Sequence, residues 1–375
     1  MPEKDRSHKD RVNNAIHYQK PDRTPRDFAA VPEIWQKLAE YFGTDDRKEI
    51  LKKLDVDCRI VYYDNFCHNP QVDESQVNLK SSQERASLSG MWRKIEPDGS
   101  SRDIWGAHRK RVQTPFGFLD EFASFPLETA SSIDDLKKYH WPEPDWWDFS
   151  HLRDYINDLN DTALYNIRWR VGSFFETAWS LYNFEKFQLD LAMNPDMVVY
   201  VMERIAEVHY ENLRRVLDIA EDLIDIVYFY DDVASQENLL ISPAMYQEYI
   251  QPFHKKLIDI AAKYNKPVMM HCCGSIYTLI PTLIDMGLKI LNPVQPSARN
   301  MNPERLAKEF GGQLAFHGGI DVQQFLPHAS PQQVKENVQY IANVLGKNGG
   351  YIMAGSHHLQ ADIPLDNVLA MYGLK

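Results

Sequence analysis

The chain has 375 residues, 44% of them hydrophobic and 25% charged, with 41 basic against 53 acidic side chains and a net charge of -12. That balance supplies a large core but no basic footprint for nucleic acid or an anionic membrane, and no apolar run approaches the roughly 18 residues of a membrane span. Four cysteines are too few for a disulfide framework in so long a chain, and the charged start Met1-Pro2-Glu3-Lys4-Asp5-Arg6 has no apolar segment after it, so a reduced, cytoplasmic protein is expected.

In chain order, residues 8–19 predict a short helix ended by Pro21, and residues 24–31 a first strand. Helices follow over 32–42, with Gly43 where a left-handed C-cap is wanted, and over 45–54. Residues 58–63 read as a second strand by their β-branched and aromatic content. Between about 86 and 127, Gly90, Pro97-Asp98-Gly99 and Pro115-Phe116-Gly117 punctuate short runs, a texture of hairpins laid over the outside of the domain. The tryptophan- and proline-bearing stretch 139–147 is a loop or rim.

From residue 163 the pattern is a regular alternation. Strands are expected at 163–170, 225–230, 266–270, 289–292, 313–317 and 351–354. Between them lie helices at 183–193 and 196–220, one at 243–264 capped by Ser242-Pro243, one after Ile276, one at 303–310, one capped by Ser330-Pro331, and a last one at 364–372. Eight strands alternating with helices imply parallel βαβ units, so the expected fold is α/β: a single (β/α)8 TIM barrel over residues 1–375, with N-terminal helices and a β-hairpin excursion. An open doubly wound sheet is the alternative, but no Gly-x-Gly-x-x-Gly follows the first strand.

Barrel enzymes keep their chemistry where strands end. At those ends stand Gly172 and Glu176, Asp231 and Asp232, His271 and Cys273, Asn292 and Gln295, then His317-Gly318-Gly319 with Asp321, and finally Ser356, His357 and His358. His271 and Cys273, two apart on a turn, can reach one ion, and an imidazole from His357 or His358 would supply a third bond, leaving a fourth position open as in a catalytic zinc site. An isolated His-x-Cys is more often a pair of buried structural residues, so the third ligand is what makes a site. Cys272 should face the barrel wall if Cys273 faces the centre. Glu176 reads as an acid, an orienter or a first-turn carboxylate stabilised by its helix, and Asp231 and Asp232 as groups for a cation or substrate hydroxyl, or as turn chemistry.

The run His271-Cys272-Cys273-Gly274-Ser275 with Leu291-Asn292-Pro293-Val294-Gln295, Ile241-Ser242-Pro243, Gly318-Gly319-Ile320-Asp321 and Pro364-Leu365-Asp366-Asn367 resembles the uroporphyrinogen decarboxylase superfamily, and within it the corrinoid-linked methyltransferase branch. The resemblance covers nearly the whole chain and implies a single (β/α)8 barrel. In that branch the motif histidine and cysteine bind zinc, and a second cysteine lies seven residues before a proline near the carboxyl end. Seven before Pro364 is His357, so the implied metal set is His271, Cys273 and His357. The decarboxylases carry a histidine there too, but their arginine-rich amino-terminal motif is missing from Ile16-His17-Tyr18-Gln19-Lys20-Pro21-Asp22.

The resemblance therefore implies a zinc-dependent methyltransferase that moves a methyl group between a small O-, N- or S-methyl substrate and a corrinoid carried by a partner protein. Asp231 and Glu176 are then the catalytic candidates, and Arg168, Arg170, Asp232, Gln295, His317 and His358 the substrate-binding ones. The alternative is metal-independent decarboxylation of a porphyrinogen-like or other carboxylated substrate, with Asp231 and His357 as acid and base. Nucleic acid and membrane are not expected partners, and a homodimer is left open.

Overall fold

The computed structural model describes residues 7–77, 92–115, 117–161 and 163–375. Its first sheet strand is β1 (Cys58–Tyr62). The excursion follows as β2 (Arg93–Ile95), β3 (Ser101–Asp103), β4 (His108–Thr114) and β5 (Gly117–Ser124), an antiparallel sheet paired in chain order. Residues 86–91 and 116 of the expected excursion, Gly90 and Phe116 among them, lie outside the described residues. The alternation continues with β6 (Asn166–Arg170), β7 (Ile226–Tyr230), β8 (Val268–His271), β9 (Ile290–Val294), β10 (Ala315–Ile320) and β11 (Tyr351–Gly355).

β1 and β6 to β11 form one parallel seven-stranded sheet in that order, curled into a TIM-barrel-like wall with helices outside. Eight strands were expected. The first, over 24–31, runs extended but makes only single bridges, from Arg26 to Met353 and from Ala30 to Leu359. It still spans the gap between the sheet edges: Asp57 N–H donates to the Arg26 carbonyl, and Asp27 N–H to the Met353 carbonyl, both at 2.9 Å. A full ladder is denied because Pro25 has no N–H and the Arg26 N–H is taken by the Asp57 carboxylate at 2.7 Å.

Strand side chains alternate with period two, so each strand sends every second residue into the barrel. The lowest layer is apolar: Cys58, Ile226, Met269, Ile290, Ala315 and Ile352 form a cluster of their own with Val12 and Ile16 of the amino-terminal helix His8–Ile16. That helix therefore plugs the mouth at the strands' amino-terminal ends. Buried Asp57 pins it there, accepting from His8 Nδ1 at 2.7 Å and Arg11 Nη1 at 2.5 Å, with Arg23 Nη1 at 2.7 Å. Above this floor the inward residues turn polar, with Arg168, Tyr228, Asn292 and His317, then Tyr62, Arg170, Tyr230 and His271.

Local signals behave as their chemistry demands. Gly43 ends the helix Pro32–Phe42 at φ 69°, and Ser330 with Gln333 forms a reciprocal cap on Pro331–Leu345. The expected helix 243–264 is interrupted: Pro243–Met245 passes through a π turn at Tyr246–Ile250 before resuming as Gln251–Lys263. Pro252, which cannot donate to the preceding turn, stands just after that widening. Among the described residues no helix is long and apolar enough to cross a membrane.

Candidate metal centre

β8 ends at His271 and the chain turns sharply through Cys272, Cys273 and Gly274. Gly274 has φ 84° and lies so close to Ser235 that a Cβ would fall 2.2 Å from its carbonyl oxygen, so this turn requires glycine. Cys272 is fully buried and its N–H donates to the Asn292 carbonyl, whereas Cys273 turns the other way. The Cys273 Sγ is 3.3 Å from His271 Nε2, and the ligand atoms of His271, Cys273 and His357 all lie within 4.8 Å of one another. A separation near 3.3 Å suits one edge of a tetrahedron whose bonds are about 2.0–2.3 Å. His357 comes from the loop after β11, with its ring 5.9 Å from that of His271 and 5.0 Å from that of His358.

A buried hydrogen-bond relay sets which nitrogen of His271 is free. Asp27 Oδ2 is 2.6 Å from Arg168 Nη2 and 2.7 Å from His317 Nε2. Burial works against the Asp27 charge, but Arg168 and His317 outweigh it and hold the carboxyl well below its usual range. Burial also pushes the His317 pKa down, so that ring is neutral, with its proton on Nε2 facing Asp27. His317 Nδ1 then accepts from Asn292 Nδ2, and Asn292 Oδ1, 2.6 Å away, accepts from His271 Nδ1. His271 Nε2 is left with its lone pair toward Cys273 and His357, as a metal ligand requires.

The other two donors agree with that role. Burial, followed by the influence of His271, pushes His357 down to about 4, and burial with His357 pushes His358 down to about 3, so both rings offer lone pairs at neutral pH. Burial and the neighbouring Asp232 and Glu176 push the Cys273 thiol up; a cation would be what deprotonates it. The donor set of two imidazoles and one thiol fits zinc.

The turn is braced from below. Asp232 Oδ1 accepts the Cys273 N–H at 2.7 Å and stands 3.7 Å from His271 Nε2. Gln295 Oε1 accepts from the Gly274 N–H at 2.7 Å and from Gln236 Nε2 at 3.0 Å, while its Nε2 donates to the Ser356 carbonyl, tying β8 to the loop of His357. Asp231 is fully buried and both its oxygens are occupied: Phe174 and Phe175 N–H at 3.0 Å, Glu176 N–H at 2.8 Å and His254 Nε2 at 2.8 Å. It thus caps the helix Phe175–Tyr182 and aims Glu176. Glu176 Oε2 accepts weakly from the Asp232 N–H at 3.4 Å, and burial beside Asp232 and Asp231 pushes its carboxyl well up.

A family model described as Uroporphyrinogen decarboxylase (URO-D) matches residues 124–374, well over half of the chain. The chain belongs to the uroporphyrinogen decarboxylase family. Among solved structures, this family member is similar to a methyltransferase from Methanosarcina mazei, with TM-score 0.61 and 15% identity over 98% of both chains. At that identity the likeness speaks for the fold. No curated protein gives a significant match.

Set on the URO-D barrel, the residues singled out in the sequence fall into two groups. His271, Cys273, His357, His358, Asp232, Gln295 and Glu176 gather round one mouth. Arg168 and His317 lie a layer below, engaged with Asp27, whereas Arg170, at the end of β6, belongs with the mouth, near enough to act on Glu176 and His358. Sequence reasoning missed Asp27, and placed Asn292 at a strand end without giving it a task. The signal for Asp27 was Arg168: a guanidinium on an inward position needs a carboxylate, and Asp27 lies in the stretch expected to close the barrel. His254 and Tyr246, whose hydroxyl is 3.0 Å from His254 Nδ1, were missed because the π turn that aligns them has no period of its own.

Proposed function

We propose that this URO-D family chain is a zinc-dependent methyltransferase that exchanges a methyl group between a small O-, N- or S-methyl substrate and the corrinoid of a partner protein. The observation that carries the reading is the convergence of His271 Nε2, Cys273 Sγ and His357, with the His271 tautomer dictated from Asp27. Three protein donors leave an open position beside them, as catalytic zinc sites do. When bound, zinc supplies Lewis acidity at the heteroatom that carries the methyl group. The solved methyltransferase with the same fold is consistent with this chemistry.

The chain's own groups divide the remaining work. His271, Cys273 and His357 hold the ion. Glu176, whose carboxyl burial beside Asp232 and Asp231 pushes well up, is the group to deliver a proton to a heteroatom losing its methyl group and to take one back in the reverse direction. Asp231 contributes through Glu176 by fixing that residue's backbone. Asp232 and Gln295 hold the turn rigid, His358 walls the site, and Arg168 and His317 act through the relay. Metal-independent decarboxylation would need Asp231 free to exchange a proton, and four hydrogen bonds already saturate it.

Reduced cobalamin, offered with a panel of methyl ethers, methylamines and methyl thioethers, tests the reading by its absorption spectrum. Methylation that stops on chelation and returns with zinc is expected. Turnover of a carboxylated substrate that continues in chelator, without any cobalamin methylation, would overturn it.

A further inference from the structure

β6 carries two arginines on the same inward face, and their surroundings differ. Arg168 has Asp27 at 2.6 Å. Arg170, one pleat nearer the mouth, has no ion pair and no hydrogen bond among the described residues, and its Nε is buried without a partner. What surrounds it is aromatic: the guanidinium carbon lies 4.1 Å from the centre of the Tyr230 ring and 5.2 Å from that of Tyr62. Tyr62 is its register partner on β1, and Tyr230 is the register partner of His271 on β8. The free guanidinium thus stands at the rim that also bears the metal ligands, two strands round the wall.

A guanidinium stays charged at any working pH, and two ring faces replace only part of the water it has lost. Neither ring contact is a hydrogen bond, so among the described residues the N–H fork, which matches a carboxylate bidentately, is left without an acceptor. The acidic groups that face it, Asp64 and Glu176, are both outside ion-pair distance, and Tyr228 and His358 are also near it. Burial, opposed by Arg170 and aided by Asp103, pushes Asp64 up to about 7, so it is a poor standing counterion.

We propose that Arg170, framed by Tyr62 and Tyr230, is the recognition point for a carboxylate on the small substrate, which is held there with its methyl-bearing heteroatom toward His271 and Cys273. The proposal rests on the methyl-transfer reading above and narrows its substrate to a methylated acid. In the free protein no carboxylate is paired with that guanidinium among the described residues.

The full chain, Arg170→Met and Arg170→Lys are compared by thermal unfolding and calorimetric titration, with zinc content read in the same samples. The probes are methoxyacetate, (methylthio)acetate, dimethylglycine and 4-methoxybenzoate, each with its neutral amide, plus methanesulfonate and phosphate. At least one acid is expected to bind about tenfold or more tightly than its amide and to raise the Tm. Arg170→Met should abolish that preference while unfolding, without ligand, at a temperature equal to or above the parent's, and Arg170→Lys should keep a weakened preference. The proposal is overturned if no acid binds, if the preference survives Arg170→Met, or if methanesulfonate or phosphate binds better than every acid. It also falls if Arg170→Met unfolds earlier than the parent or fails to fold, because Arg170 is then structural. A zinc-free chain that still prefers acids would remove the transferase reading and leave this subsite standing; a zinc-loaded chain with no preference would do the reverse.

Discussion

Asn292 joins two histidines that belong to different strands, and its amide is what passes the position of a proton from His317 to His271. Replacing it with alanine leaves His271 free to rotate and to carry its proton on Nε2. Asn292→Ala is therefore expected to weaken zinc binding by about 10–100-fold in competition with a chromogenic chelator. Unchanged affinity would mean that the relay does not set the ligand.

His209 gives a second prediction, of pH dependence. It is fully buried beside Gly172, whose missing side chain makes room for it, with Nε2 3.2 Å from the Ser173 carbonyl and Nδ1 unpartnered. Burial pushes it down to about 4 from an unfolded value near 6.5. The folded state thus binds fewer protons than the unfolded chain, so its contribution is complete above about pH 6.5 and is lost as pH falls toward 4. The loss at pH 4 is about 3 kcal/mol. Urea unfolding of His209→Gln against the parent should show a flatter decline over that window, and parallel curves would contradict it. These residues also show the limits of reading side chains from sequence. His271, Cys273 and His357 were legible because ligand types at strand ends are few; Asp27 was not, because its partner His317 is 290 positions away.

The strands and the caps at Gly43 and Ser330 were legible as elements because period, β-branching and capping chemistry are local. The incomplete pairing of the first strand and the π turn inside the helix expected at 243–264 were not, for reasons equally physical. A strand needs both edges of its backbone free, and Arg26 gives its N–H to a side chain. The helix widens into a π turn just before Pro252, which sets His254 against Asp231. The cap that Asp231 places on Phe175–Tyr182 is correspondingly costly to remove, since three N–H groups and a buried imidazole lose their acceptor together. Asp231→Ala is expected to lower stability by roughly 3–5 kcal/mol in urea unfolding, and Asp231→Asn by less. A change under 1 kcal/mol would show that Asp231 is not what anchors this helix.

The barrel as a whole divides its labour by height. An apolar floor sealed by the amino-terminal helix sits at one end, a charge-balanced layer of Arg168, Asp27 and His317 lies in the middle, and the clustered donors His271, Cys273 and His357 stand at the other mouth. The floor and the fold class follow from hydrophobic pattern. The middle layer does not, because it is a pairing across the barrel that only closure creates. On the proposed reading this layering presents the three ligand atoms of His271, Cys273 and His357 to one ion. Elemental analysis of the purified chain, with Cys273→Ser and His357→Ala beside it, tests that most directly. About one zinc per chain in the parent, and loss of most of it in both variants while each stays folded, is the predicted result. A parent without stoichiometric metal after zinc supplementation, or variants that hold it as tightly as the parent, would contradict the claim.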